Sequence, residues 1–147
     1  KKLLLIHPTN ARWFNTYGIP KGKVEDNESI LEAAIREVYE ETGITVPLNL
    51  INKKEYSITY KSKKVYYFIV KIDDLSQINL DSERVPKSQL QLSEVDWAGF
   101  LDIKDATKRI MKHHIPIINH LKTEGLLESE FKTYTEFKYG ESNNRRL

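Results

Sequence analysis

The sequence predicts a single mixed α/β domain, and three observations carry that prediction. Its 147 residues, 39% hydrophobic and 30% charged, suit one domain with a modest core and leave no room for a second. A capped, amphipathic helix pattern over residues 29–43 stands between segments of β character on either side. Further strand and helix patterns then alternate to about residue 122.

The first element is the apolar run Leu3–Ile6, a short buried strand ended by His7-Pro8, because proline removes a ladder donor and restricts the residue before it. Residues 8–28 follow as a structured loop: Pro8, Asn10, Asn15, Gly18, Pro20, Gly22, Asp26 and Asn27 supply turn chemistry, with Trp13, Phe14, Tyr17, Ile19 and Val24 set among them. Ser29-Ile30-Leu31-Glu32 has capping-box form, and Gly43 marks the helix end. Between them Ile30, Leu31, Ala34, Ile35 and Val38 make one apolar stripe, with the acidic residues off it. Residues 54–60 and 64–72 read as a hairpin joined through Lys61-Ser62-Lys63, and residues 73–93 as a long polar loop. Val95–Leu101 is a further strand, Asp102 or Asp105 starts a short helix, and Pro116 sits at the first turn of another. From Glu124 onward the pattern weakens. The extension 125–147, with Phe131, Tyr134, Phe137 and Tyr139, reads as a docked strand, a partner-binding tail or a partly disordered segment.

Composition narrows the function classes. Twenty-three basic and 21 acidic residues, mixed along the chain for a net charge of +2, form no polyanion-binding block, so nucleic acid is neither implied nor excluded. The longest apolar runs, Leu3–Ile6 and Tyr66–Val70, fall far short of the roughly 20 residues that cross a bilayer, so no membrane partner is expected. Without cysteine there are no disulfides or thiolate metal sites, and with no secretory pattern the cytoplasm is the expected compartment. His7, His113, His114 and His120 lack the spacing and acidic neighbour of a zinc motif and read as structural or surface residues.

The chemistry concentrates on the helix. Glu37, Glu40 and Glu41 are related by three and four residues, so their carboxylates share one face. Like charges so placed repel, and a hard divalent cation bound through oxygen relieves that repulsion. Taken alone, such a face is ordinarily solvated surface. Its surroundings change the reading: Gly22, Glu28, Arg36, Glu37, Val38, Glu40, Glu41, Gly43 and Ile44 fill every position of G-x5-E-x7-R-E-U-x-E-E-x-G-U, with U aliphatic. At average residue usage that coincidence arises roughly once in 10⁹ starting points.

This segment resembles the Nudix box. The resemblance, over about residues 3–122, implies an α/β fold of α+β sandwich type, with a mixed β-sheet between helices and the box as loop–helix–loop. It implies Mg²⁺ (or Mn²⁺ in its place) held by Glu37, Glu40, Glu41 and Gly22, with Glu40 and Glu41 leading the catalytic set, and Arg36 and Glu28 orienting them through salt bridges. Water would then attack one phosphorus of a nucleoside diphosphate linked to another group. Tyr17-Gly18-Ile19-Pro20-Lys21-Gly22-Lys23 resembles the entry to the box in dinucleoside polyphosphate hydrolases and mRNA decapping enzymes, making Tyr17, Lys21 and Lys23 candidates for substrate binding. In Ser93–Leu101, Glu94 takes the position of a candidate general base, with Asp96 as the weaker alternative. Trp13, Phe14, Tyr17, Tyr66, Tyr67 and Trp97 are aromatics able to stack a base, though most are expected in the core.

The implied substrate is a dinucleoside polyphosphate or a related nucleoside diphosphate derivative. Removal of a cap or pyrophosphate from an RNA 5′ end, or of pyrophosphate from a nucleoside triphosphate, is the alternative. A catalytically silent nucleotide sensor is a third, against which the intact acidic set argues. The domain is expected over residues 1–124. The chain opens at Lys1 without methionine, and a strand usual in the family is expected upstream, leaving the edge of Leu3–Ile6 open.

Overall fold

A computed structural model describes residues 1–126 and 134–141. Strand β1, Lys2–Pro8, is joined by the structured loop to the short β2, Lys21–Lys23, and then to helix α1, Ile30–Thr42. The hairpin of β3, Ile51–Tyr60, and β4, Lys63–Ile72, follows, then β5, Val95–Asp102. Helices α2, Ile103–Arg109, and α3, Ile115–Thr123, lead to β6, Tyr134–Glu141. The long polar loop carries two short 3₁₀ turns, Leu75–Ile78 and Lys87–Gln89.

Local chemistry fixes the box helix at both ends. Ser29 accepts from the Glu32 amide at 3.0 Å while Glu32 accepts from the Ser29 amide at 2.8 Å, the reciprocal cap expected from sequence. At the other end Gly43 adopts φ 72° and its amide reaches the Tyr39 carbonyl at 2.8 Å, a conformation that side chains disfavour. Asp102 caps α2, and proline lies in the first turn of α3.

Alternation along the strands divides the core into two layers. Leu4 and Ile6 of β1 face Ala34 and Val38 of α1, together with Phe68, Val70 and Ile72 of β4. Leu3 and Leu5 face the other way, onto Ala106, Ile117, Ile118 and Leu121 of α2 and α3. Helices thus cover both faces of one mixed sheet, the layering that the resemblance implied.

The sheet order is β3-β4-β6-β1-β5, with β2 also pairing β6. β6 runs antiparallel to β4 and parallel to both β1 and β2, bridging the hairpin to the β1–β5 pair. The side of β1 left open in the sequence reading is taken by β6 at Lys2 and Leu3. Of the readings open for the extension, residues 134–141 adopt the strand; residues 127–133 and 142–147 lie outside the described residues. Among the described residues no helix is long and apolar enough to cross a membrane.

Candidate active site

The box loop and helix meet at Gly22. A Cβ built on this residue would lie 1.9 Å from the Glu37 carboxyl carbon, so the carboxylate fits beside the loop only because residue 22 has no side chain. β6 aligns this same stretch, pairing Lys21, Gly22 and Lys23 in register with Tyr139, Gly140 and Glu141. The weak pattern of the tail gave no sign of that role.

Arg36 is the hub of the acidic set. It reaches Glu28 in a fork, Nε to Oε2 at 2.7 Å and Nη2 to Oε1 at 3.1 Å. Its Nη1 meets Glu37 at 2.7 Å and Glu40 at 2.8 Å, and Nη2 donates to the Lys23 carbonyl at 2.8 Å. The guanidinium thereby ties loop to helix and is held more firmly protonated, chiefly by Glu28. The hydrogen bond from Arg36 pulls the Glu28 carboxyl below its ordinary range. Glu37 shares the same partner yet is pushed up, because desolvation by burial outweighs the Arg36 contact.

Glu41 turns away from this hub. Its Oε1 accepts from the Lys21 amide at 3.1 Å, and burial first, then the charge of Glu37, pushes its carboxyl up to about 8. The convergence expected from helical spacing is therefore divided: Glu37 and Glu40 engage Arg36 while Glu41 faces the cleft. The physical reason is that like charges repel and one guanidinium satisfies two of them. Among the described residues no three His, Asp or Glu side chains already surround a single point. The donor set nevertheless suits a hard divalent cation. Two carboxyls are held above their ordinary pKa, and the bare backbone of Gly22 leaves the space beside Glu37 clear.

Glu41 lines a cleft of about 480 Å³ together with Glu94, Lys21, Tyr60, Lys63 and His113. Glu94 stands near enough to add to the rise in the Glu41 carboxyl. Its loop is fastened on two sides, by the Thr9 amide on the Glu94 carbonyl at 3.0 Å and by Gln89 Nε2 on the Thr42 carbonyl at 3.1 Å. Asp96 is committed elsewhere, 2.6 Å from Nδ1 of fully buried His7, whose Nε2 meets the Arg12 carbonyl at 2.9 Å. His7 also stacks on Trp13, with ring centroids 3.5 Å apart.

Tyr17, a substrate-binding candidate from sequence, lies in the core. Only 3% of it is exposed; it packs between His7, Trp13 and Trp97, and its hydroxyl accepts from Arg109 at 3.3 Å. The aromatic ring pays for itself in the core and does not line the cleft. Lys21 does line it, whereas Lys23 is exposed outside it and contributes its carbonyl to Arg36. Tyr60, Lys63 and His113 were not singled out as site residues from sequence. Only the fold brings them to Glu41.

The NUDIX domain model matches residues 1–121, and the chain belongs to the NUDIX family. The chain is 27% identical over 147 residues to mRNA-decapping protein g5R of African swine fever virus, covering 95% of this chain and 57% of that protein. It is 33% identical over 88 residues to mRNA decapping complex subunit 2 of Schizosaccharomyces pombe, covering 59% of this chain and 11% of that protein. It is 32% identical over 110 residues to bis(5′-nucleosyl)-tetraphosphatase (asymmetrical) of Sus scrofa, covering 70% of this chain and 74% of that protein. The chain thus spans between about a tenth and three fifths of the length of the two decapping relatives. No solved structure matches it significantly.

Proposed function

We propose that the chain hydrolyses a diphosphate linkage in a nucleoside diphosphate derivative, with a dinucleoside polyphosphate as the preferred substrate. The observation that carries this reading is the cleft itself, in which the Glu41 carboxyl, held by the Lys21 amide, lies beside a second acid, Glu94, and two lysines, Lys21 and Lys63. A site built this way favours a bound cation and an anionic substrate together. The cleft volume of about 480 Å³ is of small-ligand size.

In this reading Glu37, Glu40 and Glu41 hold Mg²⁺, or Mn²⁺ in its place, with Gly22 leaving space for the ion. Bound there, the cation would supply Lewis-acid neutralisation of phosphate charge. The protein's own groups do the rest. Arg36, anchored by Glu28, fixes Glu37 and Glu40 against rotation. Lys21 contacts phosphate, and its backbone amide orients Glu41. Glu94 accepts the proton of the attacking water; Asp96, engaged by His7, does not compete for that role.

Product analysis with Mg²⁺ tests the reading across diadenosine polyphosphates, capped RNA, nucleoside triphosphates, nucleotide sugars and diphosphoinositol phosphates. Fastest turnover is expected for a dinucleoside polyphosphate. If no member turns over while nucleotide binding persists, the domain is a sensor and the hydrolytic reading fails. A second reading, action on an RNA 5′ end, is favoured by the decapping relatives, one of which aligns with 95% of this chain. Steeply salt-dependent RNA binding would support it, and a shallow slope would favour the small substrate.

A further inference from the structure

The cleft that Glu41 and Glu94 line is also lined by Tyr60, Lys63 and His113, which have chemistry of their own. Lys61 at the hairpin tip takes φ 57°, reversing the chain so that Tyr60 and Lys63 pair across the β3–β4 ladder. This tip leans on the 3₁₀ turn Lys112–His114, where the rings of Tyr60 and His113 stack with centroids 4.0 Å apart and planes inclined by 19°. Tyr60 remains 37% exposed, so an aromatic surface borders the cleft and is still open to solvent.

Positive charge collects around that surface. The His113 imidazole is pushed below its ordinary value, first by burial and then by Lys21, Lys61 and Lys63. Three lysines therefore act on one ring, in the cleft that Glu41 and Glu94 also line. An apolar stacking face ringed by ammonium groups suits a planar group that carries its own negative charge. It offers little to a neutral sugar or a purely apolar ligand.

We propose that this part of the cleft is a nucleotide subsite, with the Tyr60–His113 pair stacking a nucleobase and Lys63, with Lys21, contacting the phosphates attached to it. The inference rests on the reading of the cleft as a polyphosphate-cleaving site. It adds which residues hold the nucleoside that does not react, and it makes Tyr60 a determinant of selectivity for substrates with a base at that end.

Calorimetry on the full chain with Mg²⁺ separates the two contributions, using α,β-methylene-ADP and base-free methylenediphosphonate, neither of which is cut at its methylene bridge. The nucleotide should bind more tightly than the diphosphonate. Tyr60→Ala should weaken the nucleotide about tenfold and leave the diphosphonate unchanged, while Tyr60→Phe retains parental binding. Lys63→Gln should weaken both. Circular dichroism melts check the fold, and because Lys63 lies at the hairpin tip, its substitution remains usable if an aromatic variant unfolds. Parental nucleotide affinity in folded Tyr60→Ala, or no preference of the parent protein for the nucleotide, overturns the subsite. Hydrolysis by the parent with unchanged binding in the variants removes the subsite and keeps the activity. Tyr60-dependent binding without hydrolysis does the reverse.

Discussion

The two walls of the cleft are built in opposite ways. The acidic wall is one stretch of helix and its entry loop, stiffened by Arg36 bridging Glu28, Glu37, Glu40 and the Lys23 carbonyl. The rest of the lining brings Tyr60 and Lys63 of the hairpin together with His113 of a distant turn, where the rings of Tyr60 and His113 stack. The difference suggests a division of labour. Under the proposed function, the acidic side would set where the reaction occurs and the aromatic and basic side which molecule is held there. Substitutions on the first should act mainly on turnover, and on the second mainly on binding.

The largest effect tests the acidic wall at its centre. Glu41→Gln should lower kcat by about 10² to 10³-fold with substrate affinity changed only a few-fold, measured by steady-state kinetics and calorimetry. Near-parental kcat would remove Glu41 from the machinery. Gly22→Ala comes next: its Cβ must displace the Glu37 carboxyl, 1.9 Å away, and kcat should fall by about 10 to 100-fold. A melting temperature close to the parent's would show the loss to be local.

Proton linkage compares the walls within one titration. Glu41 in the metal-free fold sits at about 8, above its ordinary 4.5, so the folded state holds that proton more tightly. Its contribution is complete below about pH 4.5 and is lost as pH rises through 8, on the order of a few kcal/mol. Mg²⁺ should reverse this loss at high pH. His114, on the basic wall, is pushed down by burial to about 3 from 6.5, so the unfolded chain protonates first. Stability from that group is present above about pH 6.5 and is lost as pH falls toward 3. Denaturant titrations across pH, with and without Mg²⁺, check both limbs; Mg²⁺-insensitive stability at pH 8 would contradict the assignment of Glu41.

Arg36→Lys keeps the charge but loses the fork, and should cost about 1 to 3 kcal/mol of stability by chemical denaturation. Tyr17→Phe should have the smallest effect. It removes only the Arg109 contact, so about 1 kcal/mol of stability is at stake and KM should not move. A raised KM would return Tyr17 to the substrate site.

Much of the fold was legible because its signals are local. The Ser29–Glu32 box and Gly43 bounded α1 to the residue, Asp102 and Pro116 marked the last two helices, and the hairpin fell where the β-rich runs did. β6 was legible only as one of three readings of the tail: no regular alternation marks residues 134–141, and their partners lie more than 60 residues away in β4 and more than 100 away in β1 and β2. The packing of Tyr17 onto His7 and Trp97 was not legible, because those partners lie in other strands.

By itself the sequence determined the family and the acidic wall, because spacings of three and four residues on a helix fix which side chains share a face before any tertiary contact forms. The tertiary structure decided the rest of the site. It set the division of the carboxylates between Arg36 and the cleft, the removal of Asp96 by His7, and the meeting of Tyr60 with His113. Those outcomes depend on desolvation and on contacts between residues distant along the chain, neither of which has a period that a sequence can display.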